Sequence, residues 1–394
     1  MTAASAGAAQ AAGFGTTALR RAFASAGPQS GAFVRDLTTG ATVYSIRGET
    51  PRIPASVEKL LTTATALRRF GPASRLHTDV VAAAPPDAAR RITGDIVLVG
   101  GGDPTLDRAG LERLAGQLAA TVRNISGSVV ADASLFDDRP GGPRTGFLFD
   151  TDLGGVLGAL TVDRGFARGA GPALGTATTF SRLLRRRGVR IAGRPRTGRA
   201  GSATTLLAQV ESVPMATIVA RTNTPSDNFY AETLLKDLGA RFAGQGTTPA
   251  GAGLVREEVS ALGIEAEIRD GSGLSRGDRI APRAVVDLLT QMRRDPVAGA
   301  PFDASLAVMG RTGTLARRLR GTPAAGNCHA KTGTLDGVSS LAGYCAVPGT
   351  PPLAFALMMN GVVVDRARRA QDRAVAALVR DAVTRPAPIT RSAP

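Results

Sequence analysis

The sequence predicts an α/β protein in which one antiparallel sheet, built from both ends of the chain, is covered by helices. Strand patterns lie near the two ends: residues 31–46 alternate around Thr39-Gly40 as in a hairpin, and three strand-like runs follow from Cys328 to Met359. Helical spacing dominates between residues 215 and 292. Strands at both ends with helices between them favour a single sheet packed against a helical layer.

A third observation indicates an inserted region. From about residue 80 the chain changes to a Pro-Ala segment, short strands and loops that continue to about residue 210. We therefore expect one domain formed by residues 1–80 and 211–394, and an inserted mixed α/β domain of residues 81–210. The most basic segment, Ser181 to Arg199, lies in this region and predicts a helix, a glycine stop and a strand. A solvated arginine face explains it better than a polyanion-binding patch.

The composition is that of an ordinary globular protein, with 394 residues, 43% hydrophobic residues and a formal net charge of +16. Almost all basic residues are arginines, and lysine occurs only at positions 59, 236 and 331. Each remaining lysine therefore indicates a site where an arginine guanidinium could not replace the lysine amine. The positive charge attracts polyanions, but it does not choose among nucleic acid, anionic lipid and acidic wall polymer.

The two cysteines, Cys328 and Cys345, flank a predicted turn between two strands. If these strands pair, a disulfide closing a loop of about 17 residues would contribute roughly 3 kcal/mol and would indicate an oxidising compartment. Two buried free thiols explain the sequence equally well.

Three short motifs stand in order along the chain: Ser56-Val57-Glu58-Lys59, Ser226-Asp227-Asn228 and Lys331-Thr332-Gly333. They match the S-x-x-K, S-D-N and K-T-G patterns of enzymes that form an acyl intermediate on serine. Each pattern alone is weak evidence. All three in this order are expected by chance in on the order of one in ten thousand comparable chains.

The first motif supplies a nucleophile and a base. A serine hydroxyl needs a base, and neither of the two histidines, His77 and His329, lies in a triad-like motif. The predicted helix starting at Ser56 places Lys59 on the same face, one turn along. For base catalysis its pKa must fall roughly three units from about 10.4, through burial and a nearby cation. We expect Lys331 to be that cation; the alternative for Lys59 is a solvated surface lysine.

The second motif follows Pro225 and precedes a helical run, so taken alone it predicts a helix N-cap. In an enzyme, Ser226 would relay a proton between Lys59 and the leaving nitrogen. Asn228 would bind both the substrate amide and the base lysine.

The third motif lies on a predicted strand, where Gly333 would let a substrate backbone approach closely. The segment Arg311 to Thr314 has similar letters, but it lacks the lysine and precedes an arginine-rich run without strand alternation. We predict a turn there.

With these motifs, the sequence resembles the D-alanyl-D-alanine carboxypeptidase/endopeptidase family, the class C low-molecular-mass penicillin-binding proteins. The resemblance covers about residues 30 to 385 and includes four further segments: VGGGDPTL (99–106), VVADASLFDD (129–138), GALTVDRG (158–165) and DGSGLSR (270–276). It implies a transpeptidase/β-lactamase-like α/β fold with an insert between the first and second motifs.

The resemblance also implies residue roles. Ser56 would form the acyl-enzyme, and the backbone N–H groups of Ser56 and Thr334 would form the oxyanion hole. Lys331, Thr332 and Thr334 would receive the terminal D-alanine carboxylate. Arg276 would either meet the peptide side chain or lie in solvent. The stretch TGFLFDTDLGG departs from the family pattern, so no substrate contact is assigned to Asp150 or Asp152.

The implied ligands are peptidoglycan stem peptides and β-lactam antibiotics, with no cofactor, no metal and no nucleic acid. Attraction to an anionic wall polymer or membrane surface stays open, and the oligomeric state is not predicted. The substrate implies action outside the cytoplasm. The opening segment, however, lacks the charged and apolar regions of a signal peptide, which indicates removal of the signal or a misassigned start.

Two alternatives compete with this assignment. A β-lactamase would share the fold and motifs, but the sequence has no E-x-x-L-N pattern to hold a hydrolytic water; rapid turnover of a chromogenic cephalosporin would favour it. A basic binding module explains only the charge, since aromatic residues make up 4% and tryptophan is absent. Salt-sensitive DNA binding without penicillin labelling would favour the module. The sequence does not separate terminal D-alanine removal from crosslink cleavage.

Overall fold

The computed structural model describes residues 16–24, 26–166, 171–201 and 205–384. The parts of the predicted domains at 1–15, 25, 167–170, 202–204 and 385–394 lie outside the described residues. The strands, numbered in chain order, are β1 (Ser30–Asp36), β2 (Thr42–Ile46), β3 (His77–Ala82), β4 (Arg91–Ile92), β5 (Ile96–Gly100), β6 (Asn124–Ile125), β7 (Val129–Asp132), β8 (Arg190–Ile191), β9 (Arg196–Thr197), β10 (Thr205–Glu211), β11 (Ala266–Glu267), β12 (Arg279–Ile280), β13 (Ala307–Val308), β14 (Cys328–Leu335), β15 (Val338–Cys345) and β16 (Leu353–Asn360).

The α-helices are α1 (Thr16–Ala24), α2 (Lys59–Phe70), α3 (Arg108–Thr121), α4 (Pro172–Arg186), α5 (Met215–Asn223), α6 (Asn228–Phe242), α7 (Thr248–Ser260), α8 (Pro282–Arg294), α9 (Gly299–Ser305) and α10 (Val364–Thr384). Short 3₁₀ turns lie at Ala55–Val57, Pro143–Thr145, Thr151–Leu153, Asp163–Gly165 and Gly313–Leu315. The helical patterns predicted between residues 215 and 292 fall within α5 to α8.

The main sheet has six strands in the order β13-β14-β15-β16-β1-β2, and every neighbouring pair is antiparallel. Strand β1, from the start of the chain, pairs with β16, from its end, with Ser30 opposite Met359. The predicted sheet built from both ends of the chain is therefore confirmed, as is the hairpin of β1 and β2.

The two faces of the main sheet are covered differently. Helices α1 and α10 pack on one face through residues such as Phe23 and Leu378, and α2 with α5 to α9 form a larger core on the other. Ala330 of β14 belongs to the α10 side. Because side chains alternate along a strand, Lys331 points to the opposite face of the sheet, which α2 and α5 to α9 cover.

The outer edge of β14 is only partly paired. Strand β13 pairs with His329 and Ala330 and ends there. Within the described residues, no strand pairs with Lys331 to Leu335 on that edge. A sheet edge of this kind presents free backbone groups to an added peptide.

The region between α2 and α5 is a mixed α/β unit with its own core. It contains a five-stranded sheet in the order β10-β3-β5-β7-β9 and a three-stranded parallel sheet of β4, β6 and β8. Helices α3 and α4 fill the core with side chains such as Leu114 and Phe180. In the basic segment, α4 is followed by Gly188, with φ +81°, and by β8, in the predicted order of helix, glycine and strand.

The two cysteines lie directly opposite each other on β14 and β15 and are joined as a disulfide. The sequence left this pairing open. The bond ties the end of β14 that leads into the K-T-G motif to its neighbour.

Among the helices that the structure describes, none is both long and apolar enough to span a bilayer. The same part of the chain contains no cluster of three or more histidine, cysteine or acidic side chains suited to a metal ion.

Candidate active site

Ser56 lies in the 3₁₀ turn that leads into α2, rather than in the first α-helical turn that the sequence predicted. Ala55, just before it, is buried and has φ +49°. Two glycines pack against this turn. A Cβ on Gly333 would lie 2.4 Å from the Pro54 carbonyl oxygen, and one on Gly273 would lie 2.0 Å from that of Ala55. Because neither position has room for a side chain, glycine lets β14 and the 270–276 loop reach the serine.

Lys59 is buried beside Ser56 and has three acceptors. Its Nζ donates to Ser56 Oγ at 3.0 Å, to Asn228 Oδ1 at 2.6 Å and to the Ser272 carbonyl oxygen at 2.6 Å. Burial lowers the pKa of Lys59 to about 8, against the opposing charges of nearby carboxyl groups, of which Glu58 has the largest effect. A lysine with this pKa loses its proton near neutral pH far more readily than a surface lysine.

The buried carboxyls Glu58, Glu232 and Asp270 lie near the lysine, and a fourth, Asp278, lies near Asp270 and Glu58. Burial raises the pKa of each of them. For Glu232 the pKa reaches about 8, with Asp270 adding to the effect of burial. The Oε1 atom of Glu232 accepts from the backbone N–H of Gly271 at 2.9 Å and of Ser272 at 2.8 Å. Glu232 thus fixes the loop whose carbonyl receives the Lys59 amine.

This cluster of buried carboxyls was not predicted from the sequence. The sequence did indicate that Glu58 could be buried, because it lies inside the S-x-x-K motif between the core positions Val57 and Leu60. Glu232, 174 residues further along the chain, had no local signal, because only the packing of α6 against α2 brings it near.

The S-D-N segment is both a helix cap and part of the site. Asp227 is the N-cap of α6, and its carboxylate accepts from Tyr230 N at 3.0 Å. Asn228 joins Lys59, through Oδ1, to the Asp152 carbonyl oxygen, to which its Nδ2 donates at 2.7 Å. Ser226, with φ +66°, accepts from Lys331 rather than from Lys59. The segment Ser226–Asn228 therefore serves both as a helix cap, through Asp227, and as part of the site, through Asn228 and Ser226.

Lys331 is buried and donates to Ser226 Oγ at 2.7 Å and to the Thr332 carbonyl oxygen at 2.8 Å. Burial and then the charge of Lys59 hold its pKa well below the usual lysine value. We expected Lys331 to be the cation that lowers the pKa of Lys59. In the structure burial is the largest cause of the lowered pKa of Lys59, and the charge of Lys59 adds to burial in lowering the pKa of Lys331.

A cleft of about 540 Å³ opens over these groups. Its lining includes Ser56, Ser226 and Asn228 from the first two motifs, together with Thr314, Arg318, Thr332, Thr334 and Arg368. Arg368 of α10 donates to Thr334 Oγ1 at 3.2 Å, and the hydroxyls of Thr332 and Thr314 are hydrogen-bonded at 2.8 Å.

Three cleft residues were missed from the sequence. The segment Arg311 to Thr314 was predicted as a turn, and it leads into the 3₁₀ turn Gly313–Leu315, but Thr314 also lines the cleft. Arg318 and Arg368 carried no local signal among so many arginines. Their position depends on the packing of α10 against the sheet.

Two residues singled out in the sequence lie away from the cleft lining. Arg276 donates to the Asp336 carbonyl oxygen at 2.6 Å, in the turn between β14 and β15, and does not line the cleft. Lys236 is buried and binds Asp137 and the Arg139 carbonyl oxygen. Lys236 therefore forms a structural ion pair with Asp137.

A serine hydroxyl and an amide bonded to one buried lysine, beside a second serine bonded to a second buried lysine, define a serine acyl-enzyme of the S-x-x-K type. The chain matches the model of the D-Ala-D-Ala carboxypeptidase 3 (S13) family over residues 21–146 and 158–382, and it belongs to this family.

Curated relatives agree with the family. The chain is 32% identical to a D-alanyl-D-alanine carboxypeptidase of Actinomadura sp. (strain R39), over 85% of this chain and 78% of the relative. It is 30% identical to carboxypeptidase DacB of Mycolicibacterium smegmatis, over 83% of this chain and 75% of the relative. The predicted family and enzyme class are confirmed, and the protein is a serine-type D-Ala-D-Ala carboxypeptidase.

Solved structures support the fold. Penicillin-binding protein 4 (dacB) of Haemophilus influenzae superposes with a TM-score of 0.77 at 19% identity, over 88% of this chain and 95% of that chain. The predatory peptidoglycan endopeptidase Bd3459 of Bdellovibrio bacteriovorus gives a TM-score of 0.57 at 18% identity, over 89% and 92% of the two chains. The predicted α/β fold class is confirmed.

Proposed function

We propose that this protein hydrolyses D-alanyl-D-alanine bonds of peptidoglycan stem peptides through an acyl-enzyme on Ser56, with Lys59 as the base. The observation that carries the proposal is the set of three acceptors around the Lys59 amine. Asn228 Oδ1 and the Ser272 carbonyl oxygen can only accept hydrogen bonds, whereas the Ser56 hydroxyl can also donate.

This arrangement orients the base. When Lys59 loses a proton, its two remaining hydrogens stay with the acceptor-only oxygens of Asn228 and Ser272. The lone pair then faces Ser56 Oγ, 3.0 Å away, and can take the hydroxyl proton as oxygen attacks the substrate carbonyl. The lowered pKa makes this neutral amine accessible near physiological pH.

The leaving group needs a proton when the peptide C–N bond breaks. Ser226 lies at the cleft and accepts from Lys331. In our proposal Ser226 passes a proton to the leaving nitrogen, and Lys331 lies behind it in the relay. The backbone N–H groups of Ser56 and Thr334 stabilise the oxyanion. Water then attacks the acyl-enzyme and gives a proton to the Ser226–Lys331 pair, which replaces the one passed to the leaving nitrogen, while Lys59 returns its proton to Ser56 Oγ.

The terminal carboxylate of the substrate would bind on the other side of the cleft. Thr332 and Thr334 present hydroxyls there, with Lys331 behind them. The structure adds two guanidinium groups to this wall, those of Arg318 and Arg368. The partly unpaired β14 edge would hold the peptide backbone as an added strand.

We also propose that β-lactam antibiotics acylate Ser56 and that the enzyme acts outside the cytoplasm, where its substrate lies. A crystal structure of the Haemophilus influenzae protein carries a β-lactam in complex, which supports the first point. The separate core of the region between β3 and β10 supports an inserted domain of about residues 81–210.

Mass spectrometry after incubation with benzylpenicillin tests the proposal. We expect one adduct on Ser56 in the wild type and none in Ser56→Ala or Lys59→Arg. Product analysis with a D-Ala-D-Ala peptide and with a crosslinked muropeptide then measures carboxypeptidase and endopeptidase activity separately. An adduct that persists in Ser56→Ala would contradict the assignment of the nucleophile.

A further inference from the structure

The 150–166 segment of the inserted region makes two polar contacts with the S-D-N loop. The Asp152 carbonyl oxygen accepts from Asn228 Nδ2 at 2.7 Å. The guanidinium of Arg164 donates to both carboxylate oxygens of Asp227, with Nη1 at 3.2 Å from Oδ1. These contacts reach two adjacent residues of one catalytic motif from a part of the chain that carries no catalytic group of its own.

The first contact decides which way the Asn228 amide faces. A side-chain amide has one acceptor oxygen and one donor nitrogen, and a carbonyl can only accept. With Nδ2 held by the Asp152 carbonyl, Oδ1 must face Lys59, where it accepts at 2.6 Å. The reversed amide would place N–H groups against the lysine amine and would remove one of the two acceptors that orient its lone pair.

The second contact holds the backbone on which Asn228 sits. Arg164 spans from the Gly154 carbonyl oxygen, at 3.2 Å, to Asp227, which in turn caps α6. Its guanidinium also lies 5.4 Å and 5.2 Å from the ring centroids of Phe229 and Tyr230. A bidentate, ring-stacked arginine is a contact that lysine cannot reproduce.

The backbone at both ends of this contact is unusual. Asp163 and Arg164 have φ values of +49° and +63°, and Ser226 has φ +66°. Non-glycine residues adopt this conformation rarely, and usually where the surrounding structure holds them in it. The Arg164–Asp227 ion pair joins these two strained turns and is partly shielded, with side-chain exposures of 35% and 15%.

We propose that Arg164 is a positioning residue, through which the inserted region holds the Ser226–Asn228 loop and keeps the Asn228 oxygen directed at Lys59. It does not line the cleft, and it acts through Asp227 and Asn228. This inference rests on the proposed function, and it gives the inserted region a part in the chemistry.

Arg164 has an electrostatic effect as well as a geometric one. The Asp227 carboxylate is among the charges that raise the pKa of Lys59, and Arg164 neutralises it. Loss of the guanidinium therefore shifts the acidic limb of the acylation pH profile to higher pH. A change that merely loosened the fold would not move this limb in a chosen direction.

The test uses the full-length chain with Arg164→Met, Arg164→Lys and the matched control Arg196→Met, which removes an ion pair with Asp95 inside the inserted region. The second-order rate constant of acylation by benzylpenicillin is measured per active site, and the sites are counted by adduct mass. We expect a loss of at least about tenfold in Arg164→Met, with its acidic limb shifted upward, and a smaller loss in Arg164→Lys. The control should stay within about twofold of the wild type.

A further variant separates charge from fold. Adding Asp227→Asn to Arg164→Met removes the unpaired carboxylate, so the acidic limb should return toward its wild-type position while the rate stays low. The inference is overturned if Arg164→Met acylates each labelled site at the wild-type rate with an unchanged profile, including the case where only the number of sites falls. Failure of the proposed function would differ, because the wild type itself would not be labelled.

Discussion

The two sides of the cleft differ in burial and in charge. We call the deeper group, Ser56, Lys59, Ser226, Asn228 and Lys331, the inner wall. Its two lysines are fully buried beneath the cleft, and carboxyl groups pack around Lys59. The outer wall is the group nearer the surface, Thr314, Arg318, Thr332, Thr334 and Arg368, and its arginines lie in a loop and on α10.

This difference indicates a division of labour. In the inner wall, burial changes pKa values, so its groups are suited to moving protons. In the outer wall, the arginines keep their charge whatever their surroundings, so they are suited to holding an anion. If the division is correct, changes in the inner wall alter the rate and its pH dependence, and changes in the outer wall alter substrate affinity and selectivity.

The largest effect is expected for Ser56→Ala. Without the hydroxyl no acyl-enzyme forms, so hydrolysis of a D-Ala-D-Ala peptide should fall by about ten thousandfold or more. Ser45→Ala, at an exposed position on β2, is the control and should be indistinguishable from the wild type. Residual turnover above one per cent in Ser56→Ala would remove the nucleophile from the inner wall.

Lys59→Arg keeps a positive charge but replaces the base with a group that stays protonated. We expect acylation to fall by about a hundredfold to ten thousandfold. In the wild type, a pKa of about 8 means that the neutral amine is the minor form at pH 7 and becomes the major form above pH 8. The acylation rate should therefore rise with pH through an apparent pKa near 8, and the rise should be lost in Lys59→Arg.

A pH-independent acylation rate between pH 6 and 9 in the wild type would contradict a titrating base. Benzylpenicillin acylation measured by stopped flow gives this profile directly. The same measurement on Lys331→Met tests whether burial, rather than the charge of Lys331, lowers the pKa of Lys59. If burial does so, the acidic limb of the profile should stay near its wild-type position.

The inner wall could be predicted in large part from the sequence, because its members lie in three compact motifs. Ser56 and Lys59 needed only helical spacing, and Lys331 needed only the strand pattern around Gly333. The motifs could not show which inner-wall side chains are hydrogen-bonded to each other. The serine of S-D-N bonds to Lys331 rather than to Lys59, and that choice depends on how α6 meets β14.

In the outer wall the sequence indicated Thr332 and Thr334, but it did not indicate Thr314, Arg318 or Arg368. Arg318 and Arg368 are two of many arginines, and nothing near them distinguishes a cleft position from a solvated one. The fold class could be predicted because apolar and polar residues alternate in strands at both ends of the chain. Burial of the Glu232 carboxyl could not be predicted, since an acidic residue in an amphipathic helix is normally assigned to the exposed face.

The outer wall is tested by Arg368→Met, with the exposed Arg369→Met on the same helix as control. Loss of a charged hydrogen-bond donor to the substrate carboxylate should raise KM about tenfold with little change in kcat. A peptide with an amidated C-terminus lacks the anion, so its kinetics should be nearly the same in the wild type and in Arg368→Met. An equal loss for both peptides would show that Arg368 supports the fold of the cleft rather than binding the anion.

The smallest effect, and the sharpest test of the inner wall, is expected for Glu232→Gln. The Gln oxygen can still accept from the backbone N–H groups of Gly271 and Ser272, so the loop is retained. With a pKa of about 8, Glu232 is only partly ionised in the pH range where Lys59 titrates, and the substitution removes this ionised fraction, which raises the pKa of Lys59. The pKa of Lys59 should therefore fall, and the acidic limb of the acylation profile should move to lower pH, opposite to the shift expected for Arg164→Met.

The control for this change is Glu258→Gln, which removes a carboxylate paired with Arg68 and Arg69 at the far end of α2. It should lower stability slightly and leave the limb in place. If Glu232→Gln instead lowers the rate uniformly at every pH, Glu232 acts by fixing the Ser272 carbonyl alone. The buried carboxyls would then be structural, and the inner wall would owe its proton chemistry to Lys59 and its desolvation.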